Sequence, residues 1–76
     1  MGVVTDAWAE RADGVYRIVV SDAGVTLSTP RNSVLMAQPD VDALATTCPY
    51  PFRVGGDIFA PAVYTLCAMA NGEPPP

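Results

Sequence analysis

Residues 15–28 constrain this chain more than any other stretch. They read Val-Tyr-Arg-Ile-Val-Val-Ser-Asp-Ala-Gly-Val-Thr-Leu-Ser, two apolar runs joined by a turn. Val15, Tyr16, Ile18, Val19 and Val20 are β-branched or aromatic, side chains that suit a pleated, half-buried surface. Alternation puts Tyr16, Ile18 and Val20 on one face and Val15, Arg17 and Val19 on the other. The first face is wholly apolar and is assigned to the core. The second carries a charge and is assigned to a partly covered side. Ser21-Asp22-Ala23-Gly24 is the turn, with Gly24 supplying the positive φ that only glycine takes at no steric cost. Val25 and Leu27 then alternate with Thr26 and Ser28.

An isolated hairpin is marginal in water, so other elements must cover its apolar face. Val34-Leu35-Met36-Ala37 is a short apolar run that would close a three-stranded antiparallel meander. Thr5 and Asp6 are good helix N-caps, the Ala-rich segment after them has high helix propensity, and Gly14 is a natural stop. These features predict a short N-terminal helix over residues 5–13. Pro39, Asp40 and Asp42 suit the first turn of a second helix, predicted over residues 39–47. Val41, Leu44, Ala45 and Cys48 fall on one stripe of it. The third predicted helix is Ala60–Ala70, ended by Asn71-Gly72. Its circumference is apolar almost all round, the pattern of a helix buried on several sides. The expected fold is therefore α+β. A three-stranded meander is flanked by one N-terminal and two C-terminal helices. A single domain spans residues 1–72, with a proline-rich tail at 73–76.

Size and composition narrow the function. A chain of 76 residues is small enough to bury only about 60% of its unfolded surface. Yet 50% of its residues are hydrophobic and its mean hydropathy is +0.25. That is more apolar surface than so small an interior hides, and the excess points to a partner. The net charge is −4, and the cations are Arg11, Arg17, Arg31 and Arg53 alone. Four dispersed arginines make no basic stripe for nucleic acid. The acidic balance disfavours anionic membranes. No apolar run reaches the ~20 residues of a membrane span, and no signal peptide is visible. A soluble chain, cytoplasmic at synthesis, is expected.

Reactive groups are scarce. The chain has no histidine, the commonest general base and metal ligand. Cys48 and Cys67 are too few and too far apart in sequence for a zinc site or a redox Cys-X-X-Cys motif. Both fall on apolar helix faces in a chain expected in a reducing compartment, so free buried thiols are the first reading. An intrachain disulfide joining them is the second, and intermolecular bonding the third. Gly55-Gly56 lacks the lysine and the strand context of a phosphate loop. Asp40 and Asp42, two apart on a helix, point to different sides and form no carboxylate pair. No enzyme, cofactor, metal or small-molecule substrate is expected.

What remains is a protein built to contact protein. Cys48-Pro49-Tyr50-Pro51-Phe52 interleaves prolines with aromatics, giving either a rigid crossover or a docking strip. Trp8 either packs over its own sheet or anchors a partner, since Trp is enriched at interface hot spots. The candidate interface residues are Trp8, Tyr50, Phe52, Phe59 and Tyr64. The expected function is a structural subunit of a larger assembly or homo-oligomer. Arginine without lysine, beside abundant Ala, Val and Pro, is the habit of GC-rich genomes such as those of actinobacteria and their phages. A virion accessory or capsid-decoration protein fits. The alternative is a small acidic inhibitor or adaptor of one host protein, although the acids do not cluster in sequence. If Phe52 anchors a partner, Phe52→Ala weakens assembly, measured by light scattering, more than it lowers the melting temperature.

Overall fold

The computed structural model describes residues 6–50 and 60–73. Four strands run in chain order: β1 (Asp6–Arg11), β2 (Gly14–Ser21), β3 (Gly24–Ser28) and β4 (Ser33–Met36). They form one antiparallel meander in the order β1-β2-β3-β4. Two helices follow, α1 (Gln38–Ala45) and α2 (Ala60–Ala70).

The class is α+β, but the expected three strands and three helices are corrected to four strands and two helices among the described residues. The error lies at the N-terminus. The predicted helix over residues 5–13 is strand β1, paired with β2 from Asp6↔Val19 to Arg11↔Gly14. Two turns of isolated helix are marginal in water whatever their propensity. A full-length ladder against β2 satisfies every inner backbone group of the same residues. The segment also alternates, with Ala7 and Ala9 inward and Asp6, Trp8 and Glu10 outward. Gly14, expected to stop that helix, instead closes a hairpin opposite Arg11.

Both tight hairpins work alike. Arg11 faces Gly14 around Ala12-Asp13, and Ser21 faces Gly24 around Asp22-Ala23. No described non-glycine residue has positive φ, so neither loop is a primed turn. The positive φ falls on the closing glycine, +137° at Gly14 and +132° at Gly24. The β3–β4 loop is closed by Thr29. Its Oγ1 accepts from the Asn32 N–H at 3.0 Å and the Arg31 N–H at 3.3 Å.

Register stacks the core face into rows. Ala7, Ile18, Leu27 and Val34 lie side by side across all four strands. Val20, Val25 and Met36 form a second row, and Ala9 and Tyr16 a third. Tyr16, Ile18, Val25 and Leu27 are buried, each contributing roughly 1.5–3 kcal/mol.

Helix α2 covers this face, touching β1, β2, β3 and α1. Its residues 62–68 are buried without a break. Its apolar circumference is thus hidden inside the chain over these residues. The helix ends in a Schellman motif. Gly72, at φ +72°, donates to the Met69 carbonyl at 3.2 Å, and Glu73 donates to Ala68 at 2.8 Å. Asn71 Nδ2 donates to the Leu27 carbonyl at 2.9 Å, tying the helix end to β3.

Helix α1 lies against β3 and α2. Val41 is buried, and Leu44, Ala45 and Cys48 pack against the core, the predicted stripe. Thr46 and Thr47 hydroxyls donate back to Ala43 at 2.6 Å and Leu44 at 2.8 Å, closing the helix where the two threonines stand.

Two glycines should respond differently to alanine. A Cβ on Gly24 would sit 2.6 Å from the Met36 carbonyl oxygen, while one on Gly72 meets nothing within 4 Å. Gly72→Ala should cost about 1 kcal/mol, the left-handed penalty alone. Gly24→Ala should cost distinctly more, because β4 must also shift. Urea denaturation of both variants checks the order.

Candidate functional site

The side of the sheet opposite α2 carries a second set of rows. Asp6, Val19, Thr26 and Leu35 run across the four strands. Trp8, Arg17, Ser28 and Ser33 form the next row, then Glu10 and Val15. Trp8 is 58% exposed, Leu35 57% and Val15 48%. Trp8 and Leu35 stand on opposite edge strands, roughly 14 Å apart at the ~4.8 Å strand spacing. Between them, on β2 and β3, lie Arg17, Thr26 and Ser28, with Val19 as the one apolar residue of these four. An antiparallel sheet tolerates one solvated face, usually by placing polar residues there. Large exposed apolar side chains on that face are the informative departure.

One charge on this face is fixed. Arg17 Nε donates to Asp6 Oδ1 at 2.7 Å, and Nη2 donates to Asp6 Oδ2, a two-pronged pair joining β1 to β2. The Arg17 hydrogen bonds hold the Asp6 carboxyl below its ordinary range. Glu10 has no such partner among the described residues.

At one end of the molecule lies a polar cluster joining three connections. Arg31, in the β3–β4 loop, donates from Nη1 to Asp13 Oδ2 at 3.1 Å and from Nε to Glu73 Oε1 at 2.5 Å. Tyr16 donates to Asp13 Oδ2 at 2.7 Å. Asp13 is lowered by the Tyr16 hydrogen bond first and by Arg31 second. Glu73 is lowered by Arg31. Glu73 is thus tied to the β3–β4 loop through Arg31. These groups hold the β1–β2 turn, the β3–β4 loop and the end of α2 together.

Next to this cluster is an open cleft of about 520 Å³, bordered by Arg11, Asp13, Tyr50, Pro61, Tyr64 and Thr65. The Arg11 guanidinium stacks on the Tyr64 ring at 4.3 Å. Tyr64 meets Tyr16 edge-on, with centroids 4.4 Å apart. The Asp13 carboxylate is already engaged by Tyr16 and Arg31, so it offers no free base.

The sequence-chosen residues scatter. Trp8 is on the open sheet face, away from its own core. Tyr50 is exposed and borders the cleft. Tyr64, expected at an interface, is 8% exposed, packs with the core and borders the cleft. Pro51, Phe52, Phe59 and Gly55-Gly56 lie outside the described residues. Cys48 and Cys67 are free thiols, half-buried and buried respectively. Cys67 Sγ donates to the Arg17 carbonyl at 3.4 Å, and burial pushes its pKa up to about 12. Leu35 was missed. Its signal was its place between Val34 and Met36, where alternation turns it away from both.

Among the described residues, no helix is long and apolar enough to cross a membrane. Nor does any group of three or more His, Cys, Asp or Glu stand together there to hold a metal. No protein-family model, curated protein or solved structure matches the chain.

Stability should fall at both ends of the pH scale. Asp6, Asp13 and Glu73 have lowered folded pKa values. Their contribution is present above the unfolded carboxylate range and is lost as pH falls through the folded values. Cys67 shows the opposite pattern, being raised from 9.0 to about 12. Its contribution is present below pH 9.0 and is lost as pH rises toward 12. Urea midpoints against pH should show both limbs. Asp13→Asn should flatten the acid limb, and Cys67→Ala the alkaline one.

Proposed function

We propose that this chain is a non-enzymatic interaction subunit that joins a larger protein assembly through the open face of its sheet. The carrying observation is the placement of Trp8, Val15 and Leu35, all exposed, on the one face that α2 leaves bare. Tryptophan is the residue type most enriched where interfaces concentrate their binding energy. The polar middle of the face, with Arg17 pinned by Asp6, would give such an interface its orientation. A virion accessory or decoration layer is one assembly of this kind.

The arginines support a protein rather than a nucleic-acid partner. Arg17 pairs with Asp6, Arg31 with Asp13 and Glu73, and Arg11 lies on Tyr64. These three are spent within the chain, and the net charge of −4 repels phosphate.

The double variant Trp8→Ser with Leu35→Ser tests the reading. Both side chains are exposed, so the melting temperature should hold, with stability changed by no more than about 1 kcal/mol. Co-assembly with proteins encoded beside it, followed by size exclusion, should be lost. Wild-type and double variant assembling equally well would overturn the proposal.

A further inference from the structure

We infer that β1 is a self-pairing edge: two copies of the chain join antiparallel through their β1 strands, with Ala9 opposite Ala9. The sheet then runs continuously through both copies, and their open faces become one surface. The inference rests on the proposed function, and it names the first occupant beside that face.

Strand β1 ends the sheet, and no described strand pairs with its outer side. It is six residues long, against four for β4 at the other edge. Proteins usually blunt an exposed edge with charged side chains, lysine above all, with proline or with a bulge. The segment Asp-Ala-Trp-Ala-Glu-Arg holds neither proline nor lysine, and of its three charges Asp6 is paired with Arg17 and Arg11 lies on Tyr64, which leaves Glu10. Its register against β2 is unbroken over the whole strand, so no bulge turns the edge away.

The charges on β1 narrow the register of such a pair. In a two-fold antiparallel pair, one residue lies opposite its own copy. Centring on Trp8 sets Asp6 against Glu10 of the second copy, twice. Centring on Glu10 sets it against itself. Both place like charges opposite each other, which destabilises a sheet. Centring on Ala7 pairs only residues 6–8 of β1. Centring on Ala9 pairs residues 7–11, with Trp8 against Glu10 and Ala7 against Arg11; no like charges lie directly opposite each other, although the two Glu10 carboxylates become diagonal neighbours. The two Trp8 side chains become diagonal neighbours, roughly 7–8 Å apart and within aromatic reach. The largest exposed apolar side chain of the strand is then partly covered.

The test uses the full chain in sedimentation velocity from micromolar to millimolar concentration. Trp8 is the single tryptophan, so its emission reports on the same site. Wild type should dimerise with rising concentration, and its emission should shift to the blue. Trp8→Glu would face Arg17 within the chain but Glu10 across the dimer. It should weaken dimerisation about tenfold or more without lowering the melting temperature. Trp8→Lys would face Arg17 within the chain and Glu10 across the dimer. It should lower the melting temperature yet retain more dimer than Trp8→Glu. Adding Glu10→Lys to Trp8→Glu should restore association.

A chain monomeric at every concentration overturns the inference, as does failure of Glu10→Lys to rescue. Association that ignores position 10 and is lost with Leu35→Ser and Val15→Ser also overturns it, because the copies then meet face to face. In that last case the open face still stands as an interface. A monomer that assembles only with other proteins likewise sinks the self-pairing alone.

Discussion

One helix can cover one face of a sheet, and that limit organises this molecule. Helix α2 lies across β1, β2 and β3 and buries residues 62–68 in the process. Every row of the core, from Ala7–Ile18–Leu27–Val34 to Ala9–Tyr16, exists because this helix removes it from water. Helix α1 adds Val41 and a half-buried stripe beside it. The same act leaves the far face of the sheet with Trp8, Val15 and Leu35 exposed. Core and candidate interface are thus two sides of one arrangement, since side chains along a strand alternate between them.

The polar groups divide along similar lines. Arg31, Asp13, Tyr16 and Glu73 close the end where two loops and the α2 terminus meet. Surface ion pairs contribute little singly. Their value here is geometric, because the cluster links parts of the chain that are distant in sequence. Arg17 and Asp6 do the corresponding task on the open face, crossing from β1 to β2. Cys67, buried and donating to the Arg17 carbonyl, serves as a small apolar side chain with its donor satisfied.

Much of the core was legible in the order of residues. Tyr16, Ile18, Val25 and Leu27 were assigned inward from alternation, and all are buried. The α1 stripe and the Asn71-Gly72 stop followed from helical spacing and from glycine's access to positive φ. The N-terminal segment was misread, because Ala-Trp-Ala-Glu-Arg satisfies both helix propensity and strand alternation. The burial of Tyr64 was no more legible. An aromatic residue on an all-apolar helix carries no mark of which side will be covered.

Local chemistry, then, determined the hairpin, its closing glycine, both C-terminal helices and the lack of a histidine-based centre. These depend on near neighbours along the chain, and near neighbours are what a sequence displays. Whether residues 6–11 coil or pair, which side of the sheet α2 takes, and so whether Trp8 faces core or water, are long-range outcomes. Only the packed structure decided them, because the free energy of pairing β1 with β2 and burying Ala9 against the core exceeds any local preference of six residues.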